Sequence, residues 1–404
     1  MANPAAGVFK QIAYKKEVTY GLVPAAATAQ ALRRVQSVMD LNKDTYLSNE
    51  IKTSFQKSDF RHGVRRVKGK LTGDLQCKTY SELLGFALKR DFAAITAITG
   101  ASITIAGAGP TYTVTRAAGS FLTDGVKVGH VVRLSVGGFA APNLAKNLLV
   151  VSVVALVLTV IVLNGSTLTA EGPIATSTVT VVGKTTFVPQ SGHTDNSFSY
   201  EHWFPDVAQS EVYSGCKVDQ VAISLPPTGL AQIDLDIVGQ NVTTATALYF
   251  TSPTAITTTG ALAAVNGVLR AGGVTYAIVT GLSLNINPGF TGDPVVGSNT
   301  VPFQFPGSVM ASGQFTAYFA DAVLRDAFLN ETEIDLIAAF TADNTAAADF
   351  LSIALPRIKV GSAGKSDGEG GVVQTFTFQA LEALTGGTGI ATEKTTIQIQ
   401  DAQA

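Results

Sequence analysis

The chain has 404 residues, of which 46% are hydrophobic and only 14% charged, with a net charge of −2 and a pI of about 6.1. Such a length holds two or three ordinary domains, the hydrophobicity excludes a disordered chain, and the charge balance excludes a uniformly basic nucleic-acid binder. Two cysteines, Cys77 and Cys216, make neither a disulfide framework nor a paired-cysteine metal site.

In chain order, the opening residues lead into Lys15, Lys16 and Glu17 with no apolar leader stretch, so no secretory signal is expected. Val35–Asn42 alternates as a strand, and a long polar stretch follows. Then come the strand Gly69–Gln76 and a helical pattern over Thr79–Arg90. Between Ala93 and Thr186 charge nearly vanishes and short β signals run without a helix: Thr111–Ala117, a turn at Asp124-Gly125, and Val131–Val136. Leu148–Leu163 is the one membrane-like run, but its 16 residues are mostly Val, Leu and Ile. β-Branched residues suit strands, and the run falls short of the ~17–25 residues of a membrane helix. It is predicted to be a hairpin turning near Ala155, with Asn164-Gly165 as the next turn. KVDQVAISL, a PPTG turn and Leu230–Gly239 complete this first region. Residues 241–266, rich in Thr and Ala, read as a linker.

The later chain repeats the earlier plan. Thr280–Asn287 alternates, Gly313–Ala320 is a strand, Asp321–Asn330 is helix-like, and FLSIALPRIKV leads through a Gly-rich turn to Val372–Leu381. Met39 and Leu41 match Leu284 and Ile286, while Gly69, Leu71 and Leu75 match Gly313, Phe315 and Phe319. Gln232-Ile233-Asp234-Leu235 and Gln374-Thr375-Phe376-Thr377-Phe378 read as one closing strand used twice. The expected fold is therefore all-β with short flanking helices: a duplicated β-sandwich or barrel domain carrying an inserted small β domain. Residues 1–92 and 188–240 form the first domain, 93–187 the insert, 241–266 the linker and 267–404 the second domain. Net charge follows this division, at +8, +3 and −13 for residues 1–92, 93–187 and 188–404. Such asymmetry suits head-to-tail contacts between copies, or a match within one chain.

Chemical motifs are weak. Gly183-Lys184-Thr185-Thr186 lacks the earlier glycine of a phosphate loop, where Thr178 stands. Gly364-Lys365-Ser366-Asp367-Gly368 has the spacing of a nucleophile elbow, but strands flank it on both sides. Asp367 and Glu369 lack the ligand series of a calcium loop, and His62, His130, His193 and His202 show no metal-binding spacing. Asp234 and Asp236 share one strand face as a catalytic pair or, more ordinarily, as a polar surface. The basic stretch Lys52–Lys70, interleaved with Phe55 and Phe60, is read as an exposed arm that reaches an acidic neighbour, with a plain solvated loop or nucleic-acid contact as the alternatives. No enzyme activity, metal or cofactor is expected, and no membrane association.

Glu17–Gly21, Ser58–Val67, Gly69–Leu75, Gly313–Phe319 with Asp321-Ala322, Asp326–Glu333, Leu355–Lys359, Asp367–Gly371 and Thr396–Asp401 form a set of segments at both ends of the chain. In these segments the chain resembles the tail tube proteins of long-tailed bacteriophages. The resemblance implies a subunit that forms rings stacked into a tube, through which genomic DNA passes at ejection. Two tube domains per chain imply a trimeric ring that mimics a hexamer, a hexamer of chains being the alternative. The lumen should repel phosphate rather than bind it, with Asp234, Asp236, Thr375, Thr377 and Gln379 as lumen-facing candidates. The arm Asn42–Arg66, with Lys52, Lys57, Arg61, Arg65 and Arg66, is the candidate for ring-to-ring stacking, and the insert would project outwards. Implied partners are further copies, tape-measure and tail-tip or terminator proteins, and passing DNA held without specific binding. Assembly would take place in the host cytoplasm and the product would reside in the virion tail. A head decoration or tail completion protein, or a β-rich receptor- or carbohydrate-binding module, are the other readings.

Overall fold

A computed structural model of the protein describes residues 4–275, 279–319, 323–366 and 369–404. The fold is all-β, with two short α-helices among the described residues, Ser81–Ala87 and Val323–Leu329. Its main feature is a continuous antiparallel run of eight strands. Their order is Gln36–Leu47, Phe60–Asp74, Gln232–Gly239, Gln209–Leu225, Val279–Asn287, Met310–Tyr318, Val373–Ala380 and Phe350–Lys365. Period-two alternation sets its faces. In Gln232–Gly239, Ile233, Leu235 and Ile237 point into the core while Asp234 and Asp236 point away. Burying each of those aliphatic chains contributes about 1.5–3 kcal/mol.

The run consists of two halves with the same internal order and register. Met39 faces Gly69 as Leu284 faces Gly313, and Leu71 faces Leu235 as Phe315 faces Phe376. Both glycines are required by the close approach: a Cβ on Gly69 would lie 2.2 Å from Met39 Sδ, and one on Gly313 2.2 Å from the Ser283 carbonyl oxygen. The long strands Gln209–Leu225 and Phe350–Lys365 each carry a bulge at the same place, Asp219 in one and Gly361 in the other. A bulge bends a strand, so each long strand serves two sheets. Its second part lies in the eight-strand run, and its first part pairs with Phe198–Phe204 or with Ile334–Thr341. Those strands pair in turn with Gln11–Lys16 and Gly267–Ala271.

The closing strands occupy the same place in the two halves: Ile233 faces Gly73 and Gln374 faces Ala317, so Gln374 is the counterpart of Ile233. Gln374 therefore occupies an apolar position, and its Nε2 has no hydrogen-bond partner among the described residues. The first helix is shorter than Thr79–Arg90. It starts where the Asp401 carboxylate accepts hydrogen bonds from the Lys78 backbone N–H (2.7 Å) and Ser81 Oγ (2.5 Å). It stops before Lys89, whose φ is +61°. Asp321 and Ala322, expected to open the second helix, lie outside the described residues.

The Val-rich run forms the strands Leu148–Val153 and Val157–Val162, two of the six in a closed barrel. Closure leaves no free edge, and Phe121, Val114, Leu148, Val150 and Val160 fill the interior. Among the described residues no helix is long and apolar enough to cross a membrane. The barrel's last strand ends at Val181. Lys184–Phe187, expected within the insert, instead pairs with Gln398–Asp401 beside the long strand of the second half. Residues 241–266 are also more than a linker: Asn241–Ala245 pairs with Gln209–Leu225, and Ser252–Thr254 runs parallel to Ala27–Ala31.

Although the barrel emerges from the first half, it packs on the second. Val131, Leu149, Ile161 and Val182 meet Ile337, Ala339 and Phe350 in one cluster. Buried Gln400 donates from Nε2 to the carbonyls of Val131 (2.9 Å) and Val182 (2.7 Å) and accepts from the Val131 N–H (2.7 Å).

Candidate functional site

The side of the eight-strand run away from the core is polar across its width. One row of directly opposed residues reads Thr72, Asp234, Ala222, Asn285, Ser312, Gln379 and Lys359. The next reads Asp74, Gln232, Ser224, Ser283, Gln314, Thr377 and Ser362. Directly opposed residues project to the same side, so Asp234, Asp236, Thr375, Thr377 and Gln379 all stand on this face. Asp234 and Asp236 are the counterparts of Thr375 and Thr377.

The two halves differ in charge here. In the first, Lys70 Nζ lies 2.8 Å from Asp234 Oδ2, and Thr72 Oγ1 donates to Asp234 Oδ1 at 2.5 Å. The hydrogen bond to Asp234 pushes the Lys70 ammonium pKa up. Partial burial pushes the Asp236 carboxyl up, with Lys70 opposing and Asp234 and Asp219 adding to the shift. The second half has hydroxyls and amides instead: Ser362 Oγ and Thr377 Oγ1 lie 2.8 Å apart, and Gln379 Nε2 donates to the Ala311 carbonyl at 3.0 Å. Charge on the first half is mixed, since Lys68 and Lys70 stand on the same side as the aspartates. It is thus a hydroxyl- and amide-rich surface with scattered, partly paired charges, not a uniformly acidic one.

The arm is a hairpin rather than a loop. Strand runs to Leu47 and resumes at Phe60, so only residues 48–59 are non-strand, and Arg61, Arg65 and Arg66 lie within Phe60–Asp74. The five basic residues do not form one patch. Arg61 pairs with Asp59 at 2.8 Å, Arg66 approaches Asp44 at 3.8 Å, and Lys52 approaches Glu50 at 3.9 Å. Lys57 Nζ donates to the Ser48 carbonyl at 3.1 Å, and Arg65 sits at the base, bonded to Asn241 Oδ1 at 3.3 Å. Sequence reasoning missed the apolar tip: Ile51 is 101% and Phe55 99% exposed, and Tyr46, Leu47 and Phe60 are more than half exposed. The Phe55–Phe60 spacing carried that signal, but the surrounding charge masked it.

Chemistry is sparse elsewhere. No group of His, Cys, Asp and Glu able to hold a metal occurs among the described residues. Burial holds His130 and His202 neutral, with pKa values lowered to about 3. Cys77 and Cys216 are buried free thiols, and burial raises both pKa values. Ser366 Oγ donates across a hairpin end to the Val373 carbonyl at 3.2 Å. Asp367 and Gly368, which belong to the elbow-like and calcium-like spacings, lie outside the described residues. Lys184–Thr186 is strand, not a loop opening a helix.

Compared with curated proteins one by one, the chain gives no match. A family model described as phage tail tube protein matches residues 10–380, nearly the whole chain. The repeated sheet, its polar face and the arm with its exposed apolar tip suit a subunit that associates with copies of itself, and the chain belongs to the phage tail tube protein family, as a structural component of the virion tail.

Proposed function

We propose that each chain supplies two fused tube domains, residues 1–92 with 188–245 and residues 267–404, joined by 246–266 and carrying as an insert the barrel that runs from Ile98 to Val181. Three chains make a ring with six wall segments, and rings stack into the conduit for DNA at ejection. The observation that carries this reading is the eight-strand run, in which two halves of equal order and register already share one seam. Its polar face lines the lumen, Asp234, Asp236, Thr375, Thr377 and Gln379 included. Hydroxyls and amides offer a sliding polyanion water-like contacts without the counterion release that drives tight binding to lysine and arginine surfaces. The arm carrying Lys52, Lys57, Arg61, Arg65 and Arg66 joins rings. The barrel lies against the hairpin sheet of the second half and projects from the outside of the tube. Tape-measure and tail-tip or terminator proteins are its partners in the tail, which assembles in the host cytoplasm. Negative-stain electron microscopy of the purified protein across a concentration series tests the reading. Hollow rings or tubes are expected; compact particles that never grow, even with a tail-tip initiator, contradict it.

A further inference from the structure

Beside the start of the strand Gln36–Leu47 lies a pocket of about 480 Å³. Its apolar walls come from the N-terminal residues, the strand Phe198–Phe204 and the segment 246–266: Val8, Ile12, Trp203, Leu248, Phe250 and Ile256. Trp203, the only tryptophan of the chain, is partly buried there, while Val8 is 87% and Ile256 51% exposed. Apolar walls facing water are unfavourable until something covers them. Lys10 and Arg34 also line the pocket. Their hydrogen bonds go to carbonyl oxygens, from Lys10 Nζ to Ser37 (2.6 Å) and from Arg34 to Gly7 (2.9 Å) and Lys10 (2.8 Å). The third charged group, Glu201, is buried and accepts from the N–H groups of Tyr249 (2.7 Å) and Phe250 (2.9 Å) and from Ser210 Oγ (2.6 Å). The pocket is thus apolar, with positive charge in excess.

The far end of the same strand carries the complement. Ile51 and Phe55 project from the arm tip into solvent, and Glu50 adjoins Ile51 with its side chain 65% exposed. The arm's own cations are engaged locally, Arg61 by Asp59 and Lys57 by the Ser48 carbonyl. Ser37, held by Lys10 at the pocket, and Leu47, where the loop begins, stand near opposite ends of one strand, roughly 33 Å apart at about 3.3 Å per residue. The tip therefore points away from the pocket of its own chain.

Resting on the tube reading above, we infer that this pocket receives the arm tip of a second copy of this chain, with Ile51 and Phe55 against Trp203, Leu248 and Ile256, and Glu50 facing Lys10 and Arg34. Each copy offers a tip at one end and a pocket at the other. Such a contact is heterologous, and it propagates from copy to copy without closing. Recognition then lies in two apolar side chains and one carboxylate, while the arm's lysines and arginines serve its own ladder and turn.

Trp203 makes occupancy of the pocket readable. Acrylamide quenching of its fluorescence in the full chain is expected to fall at least twofold on assembly. Unchanged quenching in tubes seen by microscopy overturns the proposal. Oxidative cross-linking identifies the occupant, using the full chain with Ile51→Cys and Ile256→Cys, and with Ile51→Cys and Leu384→Cys as the control. All three positions are exposed, whereas the native Cys77 and Cys216 are buried. Assembled material from the first pair should give an open ladder of covalent dimers, trimers and longer species, and the control pair none. A protected Trp203 without that ladder assigns the pocket to another occupant and overturns the proposal, as does linking by the control pair; both results leave the tube reading standing. Absence of rings and tubes under every condition overturns both. Glu50→Lys is expected to raise the concentration needed for assembly at least several-fold, and an unchanged threshold removes Glu50 from the contact.

Discussion

The two halves share a strand plan but treat their first hairpin in opposite ways. In the second half, residues 288–309 fold back across the first. There the Arg65 N–H donates to the Asn299 carbonyl (2.8 Å), Gln240 Nε2 to Val301 O (2.9 Å) and Lys217 Nζ to Gln304 O (3.0 Å). Lys89 lies over the Phe290 ring at 3.8 Å. In the first half, the corresponding residues 48–59 form the exposed end of an extended hairpin. A lone two-stranded ribbon is marginal in water, and this one displays Ile51 and Phe55 to solvent. One half's loop thus meets its neighbour within the chain, while the other's is displayed to solvent; in the tube proposed above it would meet another copy.

The sharpest way to break this comparison is at the arm. Ile51→Asp with Phe55→Asp is expected to leave a folded chain with an unchanged melting temperature, because neither side chain packs within the subunit. Tube formation should fall at least tenfold by sedimentation and microscopy; tubes forming normally would refute an assembly role for the tip. In the core, Phe376→Ala is expected to cost about 3–5 kcal/mol. Phe376 is buried and stacks on Phe315 with centroids 5.2 Å apart, and urea unfolding measures the loss. A cost below about 1 kcal/mol would mean that the second half is not packed as described.

Lys217→Met addresses the folded-back loop. Lys217 is buried and reaches Asp195 at 2.7 Å, and removing charge-assisted hydrogen bonds of this kind costs about 1.5–3 kcal/mol each. Proteolysis within 290–305 should accelerate, whereas cleavage at 48–59 should not change. Acid dependence comes from the buried imidazoles. His130 Nδ1 accepts a hydrogen bond from the Lys127 backbone N–H at 3.1 Å, which requires the neutral ring. With folded pKa values of about 3 against the usual 6.5 for both His130 and His202, the unfolded chain binds more protons below pH 6.5. Stability therefore falls as pH drops from 6.5 towards 3, by up to about 1.4 kcal/mol per pH unit for each histidine. His130→Gln should reduce the slope of urea stability against pH by about one proton. The smallest effect is expected on the polar face, where Asp234→Asn should change stability by only about 0.2–1 kcal/mol, since its partner Lys70 is half exposed.

Much of the eight-strand run was legible because its signal is local. Period-two alternation marked Gln232–Gly239 and Val279–Asn287. Met39 with Gly69, and Leu284 with Gly313, disclosed the repeat because tight strand approach admits only glycine there. The residue-by-residue match of the closing strands was harder to read because Gln374 occupies a position that alternation assigns to an aliphatic. The arm's ladder was hidden by RHGVRRVKGK, whose inward residues Val64 and Val67 are three apart rather than two. The docking of the barrel on the second half was not legible either. It depends on Gln400 meeting Val131 and Val182 across more than 200 residues, and no local pattern encodes such a meeting. The polar face was identifiable residue by residue, but its continuity across both halves became visible only through the pairing of Ala222 with Asn285.

The most direct test is a three-dimensional reconstruction of assembled tubes by electron cryomicroscopy. Threefold rings with six wall segments and three peripheral barrels are predicted, one barrel on every second segment. Sixfold rings with a barrel for each of six chains would keep the tube and contradict the claim that one chain supplies two wall segments.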